Sequence, residues 1–303
     1  MSRRFTQVDV FTRELTRGNA VAVVHDADDL DDDAMRAFAR WTQLSETTFL
    51  LAPTPEGAAA GADYRVRIFT PGSELPFAGH PTLGSARAWL EAGGVPQREG
   101  VVVQECGAGL VAVRRSVAQD DDGDGDEVLA FEAPPLRRSG PVDPADLAAA
   151  AASVGVRTED VVDAAWVDNG PGWVALLLTD AAAVLAASTS TASGEGGRAD
   201  GPSAIGVIGP YRDGTGPGGA AVEVRAFFRE FGTWGEDSVT GSLNAGLGQW
   251  LTAGGAGAVL PARYTASQGA ALGRSGHVHV AREGDGVWVG GATVVGVSGS
   301  VAL

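Results

Sequence analysis

The chain has 303 residues, an ordinary hydrophobic content of 44% and a net charge of −16 at neutral pH, which excludes a broad nucleic-acid or anionic-membrane surface but not a local pocket for a small anion. Its single cysteine, Cys106, excludes an internal disulfide and a cysteine-rich metal site. Met1-Ser2-Arg3-Arg4-Phe5 lacks the apolar run of a signal peptide, and no stretch is apolar enough to span a bilayer, so a cytoplasmic protein is expected.

Residues 5–11 read as a strand, Arg17-Gly18-Asn19 as a turn and 20–24 as a short buried strand. Asp31-Asp32-Asp33 caps a helix over about 34–42, its first turn suitably acidic. In Gln43-Leu44-Ser45-Glu46-Thr47-Thr48-Phe49-Leu50-Leu51 the second half is β-branched and apolar, hence a strand, with Glu46 at its entrance. A carboxylate half buried there has its pKa raised and suits proton transfer; the plainer reading is a solvated edge glutamate. Residues 53–62 read as a mobile Gly/Ala-rich loop and 64–69 as a strand. Next comes Ser73-Glu74-Leu75-Pro76-Phe77-Ala78-Gly79-His80-Pro81-Thr82-Leu83-Gly84-Ser85, a loop entering a helix over 83–90. Pro81 suits the first helical position. Free N–H groups at such an end favour an anion, and His80 is a candidate acid, base or donor, set against a helix cap with a chance histidine. Residues 101–103, 109–114 and 128–132 read as strands, 120–126 as an acidic loop, and 134–141, with its prolines and charge, as the domain boundary.

In the second half Asp143 caps a helix over 144–154. Residues 161–167 and 173–178 read as strands joined by the turn Asn169-Gly170-Pro171-Gly172, and 188–202 as a flexible Ser/Gly-rich stretch. Strands follow at 204–208 and 222–228; Glu236 to Gly241 leads into a helix over 242–252; 264–268, 277–282 and 287–289 are strands, and 293–302 is a last apolar run. The halves echo each other: Val66-Arg67-Ile68-Phe69 matches Val224-Arg225-Ala226-Phe227, Val8-Asp9 matches Val167-Asp168, and each half carries a helix ending Trp-Leu, at Trp89-Leu90 and Trp250-Leu251. This predicts a duplicated α+β unit, with ligand chemistry in the cleft between copies and Gly79 facing Gly241 across it. Gly241 lets backbone approach a ligand closely, Thr240 and Ser242 offer hydroxyls, and Asp237 either orients an imidazole, amine or hydroxyl or simply caps the helix.

Leu44-Ser45-Glu46-Thr47-Thr48-Phe49, Phe69-Thr70-Pro71, Glu74-Leu75-Pro76-Phe77-Ala78-Gly79-His80-Pro81-Thr82 and Glu236-Asp237 with Thr240-Gly241-Ser242 together resemble the phenazine-biosynthesis PhzF-like family, in order and over essentially the whole chain. The resemblance implies the diaminopimelate-epimerase-like fold: α+β, two similar domains, each a barrel-like β-sheet around a central helix, with the active site in the inter-domain cleft. The domains are expected at 1–135, completed by 291–303, and at 136–290. It also implies no cofactor, no metal and a homodimer, and a founding activity that isomerises dihydro-hydroxyanthranilate by a proton shift. Carried over by position, Glu46, His80 and Asp237 are the catalytic residues; Ser45, Gly79, Thr240, Gly241 and Ser242 bind the substrate and its carboxylate.

Racemases and epimerases of this fold use two cysteines, one per domain, but Cys106 lies in neither loop, so two-thiol chemistry is disfavoured and Cys106 is read as a small core or turn residue. Three segments depart from the family pattern: the usual Glu-Asp-Pro-Ala-Thr-Gly-Ser-Ala loop reads Glu236-Asp237-Ser238-Val239-Thr240-Gly241-Ser242-Leu243, the Gly-Asn-Pro turn reads Gly18-Asn19-Ala20, and an Ala-Pro pair is replaced by Arg229-Glu230. These bear on substrate identity more than on the use of Glu46. The expected function is a cofactor-independent isomerase moving a proton on a small carboxylated amino- or hydroxy-acid-like metabolite. The alternatives are an epimerase or racemase using Glu46 with His80 or Asp237, and a non-catalytic binding protein on the same fold.

Overall fold

The computed structural model describes residues 1–117, 127–189, 201–212, 215–230, 232–253 and 260–303. The acidic loop expected at 120–126 and most of the stretch expected to be flexible at 188–202 lie outside them. The chain divides into two compact units, Met1–Glu132 with Gly290–Leu303, and Ala133–Val289. Among the described residues no helix is long and apolar enough to cross a membrane.

The first unit contains β1 (Ser2–Val10), β2 (Asn19–Val24), α1 (Asp32–Thr42), β3 (Glu46–Leu51), α2 (Pro55–Ala59), β4 (Tyr64–Phe69), β5 (Glu74–Leu75), α3 (Gly79–Glu91), β6 (Val101–Cys106), β7 (Gly109–Val117) and β8 (Glu127–Glu132). The second contains β9 (Arg138–Pro141), α4 (Pro144–Ser153), β10 (Val161–Asp168), β11 (Trp173–Leu178), α5 (Ala181–Ala186), β12 (Ala204–Pro210), β13 (Val222–Glu230), β14 (Thr233–Asp237), α6 (Gly241–Leu251), β15 (Arg263–Gln268) and β16 (Gly276–Glu283). The long strand β17 (Gly286–Ala302) starts in the second unit and ends in the first.

In the first unit β1 pairs antiparallel with β2, β2 parallel with β3, β3 antiparallel with β4, β4 parallel with β6, and β6–β7–β8 antiparallel. β8 pairs with β17, and β17 returns antiparallel to β1, so the sheet closes into a barrel and leaves no free edge in this ring. The helix α3 touches β1, β2, β3, β6, β7 and β8, which requires it to run inside the ring. Its sequence suits that place: Gly79 to Ala86 and Ala88 are all buried, and small residues keep the helix thin enough to be encircled. Outside the sheet, Met35, Phe38 and Ala39 of α1 pack with Phe49 and Phe69, Phe49 meeting Phe69 edge-on at 5.6 Å between ring centres.

The second unit repeats the pattern. β10–β11 is antiparallel, β11–β12 parallel, β12–β13 antiparallel, β13–β15 parallel and β15–β16 antiparallel. The helix α6 is as buried as α3, and α4 and α5 pack Ala150, Ala151 and Val184 against Trp166, Leu176 and Val207. The repeat extends to side chains. Arg67 donates from Nε and Nη2 to the two oxygens of Glu74, each at 2.7 Å; Arg225 does the same to Glu236 at 2.8 and 2.7 Å. Each guanidinium also lies over the phenylalanine two residues on, Phe69 at 5.0 Å and Phe227 at 4.8 Å from the ring centre.

Several elements differ from expectation. Residues 53–62 hold the short helix α2, because Thr54 caps it by accepting from Gly57 N and Pro55 starts it. Within the expected boundary 134–141 lies the strand β9, paired with β10 in the second unit. Both central helices begin earlier than read, at Gly79 and Gly241, so His80 and Ser242 are each the second helical residue and Pro81 the third. Pro81 is tolerated there because first-turn N–H groups have no intrahelical partner. The strands β5 and β14, the helix α5 and the continuity of β17 across 286–302 went unread.

The buried central helices set one sharp packing limit. A Cβ on Gly84 would overlap Cγ1 of Val21, a stiff β-branched core residue, and one on Gly246 would overlap the Val167 carbonyl oxygen. Alanine is the better helix former by about 1 kcal/mol, yet overpacking costs about 1–3 kcal/mol. Gly84→Ala and Gly246→Ala should therefore both lower the urea midpoint, whereas an effect of propensity alone would raise it.

Candidate active site

In the first unit the site is built where β2, β3 and the start of α3 meet. The parallel register of β2 and β3 sets Glu46 beside Val21, two residues from Asn19. From α3, His80 puts Nε2 at 3.2 Å from Glu46 Oε2, and Asn19 Nδ2 lies 3.2 Å from His80 Nδ1. The side chains of His80 and Glu46 are 4% and 14% exposed, so the pair is screened little by solvent and Glu46 is not a solvated edge residue. Ser45, just before β3, is exposed. Gly79 opens α3 behind Ala78, which offers no side-chain cap, so the first N–H groups of the helix are left for another acceptor.

Beneath the pair is a buried polar lattice that positions the helix start. Ser85 donates to Thr48 at 2.9 Å, and Gln104 donates to Thr82 at 3.0 Å while accepting from Tyr64 at 3.0 Å. In the second unit Gln268 accepts from Thr240 N and from Asn244 Nδ2, both at 3.0 Å, and donates to Thr240 Oγ1 at 2.9 Å. Asp237 accepts from the Thr240 hydroxyl at 2.7 Å. It stabilises the turn before α6 through that hydroxyl, and no side chain caps the helix. Ser242 Oγ accepts from the indole Nε1 of Trp173 at 3.1 Å, which leaves the hydroxyl proton available to a ligand. Trp173 and Asn169, which donates to Ser242 O at 2.8 Å, were not read as site residues, although Asn169 opens the recognised turn and Trp173 follows it. Cys106 ends β6 at the hairpin to β7, and burial raises its thiol pKa, so it is not poised as a thiolate. Among the described residues no group of three His, Cys, Asp or Glu is placed to hold a metal.

Burial lowers the His80 pKa from 6.5 to about 3 and that of His25 to about 4, so both rings are neutral at pH 7. A depressed histidine means the unfolded chain binds the proton first. Stability is therefore intact above pH 6.5 and falls as pH drops toward 4, by about 1.4 kcal/mol per pH unit for each ring. Urea unfolding of the wild type at pH 7 and pH 5 should differ by several kcal/mol. His25→Asn, which removes the ring accepting or donating at Thr6 Oγ1, should flatten that slope; an unchanged slope would contradict the assignment.

The sequence profile of the phenazine biosynthesis-like protein family matches residues 8–299, and the chain belongs to that family. It is 39% identical over 184 residues to the Schizosaccharomyces pombe protein antisense-enhancing sequence 1, covering 60% of this chain and 59% of that one. It is 51% identical over 85 residues to trans-2,3-dihydro-3-hydroxyanthranilate isomerase of Pseudomonas aeruginosa, covering 28% and 29% of the two. The chain thus spans less than two thirds of the length of either relative. Among solved structures, a Bacillus anthracis phenazine biosynthesis protein of the PhzF family superposes with a TM-score of 0.78 over 100% of both chains at 21% identity, a likeness of fold. The paired barrel-around-helix units implied by the resemblance are the fold observed.

Proposed function

We propose that the protein is a cofactor-independent isomerase that moves a proton on a small carboxylated amino- or hydroxy-acid-like metabolite. The observation that carries this reading is the buried Glu46–His80 pair, a carboxylate and an imidazole 3.2 Å apart. Glu46 takes the proton and returns it elsewhere on the same face; His80 donates to and polarises the substrate. The uncapped start of α6, with Gly241 N–H and the Ser242 hydroxyl, holds a carboxylate by the usual helix-end electrostatics. Asp237 and Thr240 keep that turn in shape. A homodimeric protein completes the proposal.

The named activity of the Pseudomonas relative selects the first compound to try. Incubation with trans-2,3-dihydro-3-hydroxyanthranilate and a panel of small amino- and hydroxy-acids in deuterium oxide, read by NMR, should show solvent deuterium entering one of them with migration of a double bond. Deuterium at a single carbon with inversion would mark an epimerase. Binding with no exchange in any compound would sink the isomerase reading in favour of a binding protein.

A further inference from the structure

His80 has one ring nitrogen toward Glu46 and the other toward Asn19. An amide nitrogen only donates, so His80 Nδ1 is the acceptor of the Asn19 Nδ2–H, and a neutral imidazole then carries its single proton on Nε2. We propose that Asn19 is a positioning residue that locks His80 in the Nε2–H tautomer and so aims the ring's one proton at the Glu46 side of the site.

The surroundings of Asn19 suit a fixed support. It is 3% exposed, opens β2 and sits opposite Val10 in the β1–β2 pair. Gly18 before it is clamped: its N–H donates to Asp9 Oδ2 at 3.3 Å, and a Cβ there would overlap the Val10 carbonyl. The second unit supplies an internal control. Asn169, in the corresponding turn after β10, donates its side-chain N–H to the second residue of α6, as Asn19 does to the second residue of α3. In the second unit the acceptor is the backbone oxygen of Ser242, a purely architectural bond. In the first unit the same device has been turned onto a titratable ring.

The tautomer itself is independent of the proposed isomerase function; its catalytic consequence rests on that reading. The side-chain 15N spectrum of the full chain at pH 7 distinguishes the two tautomers directly, and with only four histidines His80 is assigned by its loss in His80→Gln. The wild type should show the Nε2–H pattern. Asn19→Asp, the same shape but an acceptor only, should move the proton to Nδ1, and Asn19→Ala should give a mixture. Asn169→Asp should leave the His80 signals where they are. With a substrate in hand, Asn19→Asp should lower kcat about 10²-fold with little change in KM, the scale of one positioned proton-transfer group. A wild-type Nδ1–H pattern overturns the proposal without any variant. So does an Asn19→Asp spectrum that keeps Nε2–H, or an equal change in Asn169→Asp. If the tautomer is as stated and no compound exchanges protons, the isomerase reading falls and this one stands.

Discussion

Glu46→Gln should lower turnover of the proton-transfer substrate by about 10²–10⁴-fold or more, the range for loss of a general base, while changing KM little. The amide has nearly the same shape as the carboxylate and keeps an oxygen for hydrogen bonding, but it cannot take and return a proton. The loss therefore belongs to the transition state, and kcat and kcat/KM should fall together, by about 3–5 kcal/mol in activation free energy. Deuterium exchange into the substrate should disappear in the same variant. Glu46→Asp keeps the chemistry but withdraws the carboxylate by one methylene from its place beside His80 Nε2, so it should fall between the two. Full turnover by Glu46→Gln would remove Glu46 from the reaction and leave the pair with His80 as a buried structural contact.

How much of this was legible beforehand follows the distance between the residues that must be combined. Glu46 stood out as a carboxylate at the start of an apolar β-branched run, and the structure buries it there. His80 stood out as an imidazole at a helix start, and it is the second residue of α3. Nothing local to either residue pointed to the other, since α2, β4 and β5 lie between them and they meet only when the barrel closes; the family resemblance alone set them together. Asn19 was read as a turn residue; that it supports His80 depends on the β1–β2 register and on a helix 61 residues further on. Gln104 and Gln268 hold the two helix starts from equivalent strands, each the one parallel to β4 or β13, and a lone glutamine in a strand carries no local sign of that. The available signal was the duplication: the Arg-x-Phe echo was read, and extending it to every polar residue would have paired Gln104 with Gln268 and Asn19 with Asn169. The strands β5 and β14 escaped because a pairing of two to five residues, held partly by an arginine–glutamate clamp, has no periodicity to detect.

That clamp makes the second large prediction, because the duplication provides two chemically identical pairs in different surroundings. Arg225 and Glu236 are 7% and 12% exposed; Arg67 and Glu74 are 17% and 35% exposed, and Arg67 is shared with Asp32 at 2.7 Å. Arg225 also donates to the carbonyls of Leu185 at 3.2 Å and of Ala187, at the end of α5. Arg225→Met would leave a buried carboxylate without its counter-charge and strip donors from a helix C-terminus at once. Breaking one side of a buried pair costs about 3–5 kcal/mol, against about 1 kcal/mol or less for a solvated one. Urea unfolding should therefore show a large fall in midpoint for Arg225→Met and a small one for Arg67→Met. The double variant Arg225→Met, Glu236→Leu should recover part of the loss, because the unpaired buried charge rather than the missing attraction dominates the penalty. Equal effects of Arg225→Met and Arg67→Met would mean that burial does not control the strength of the clamp, and that the two copies are energetically as well as geometrically equivalent.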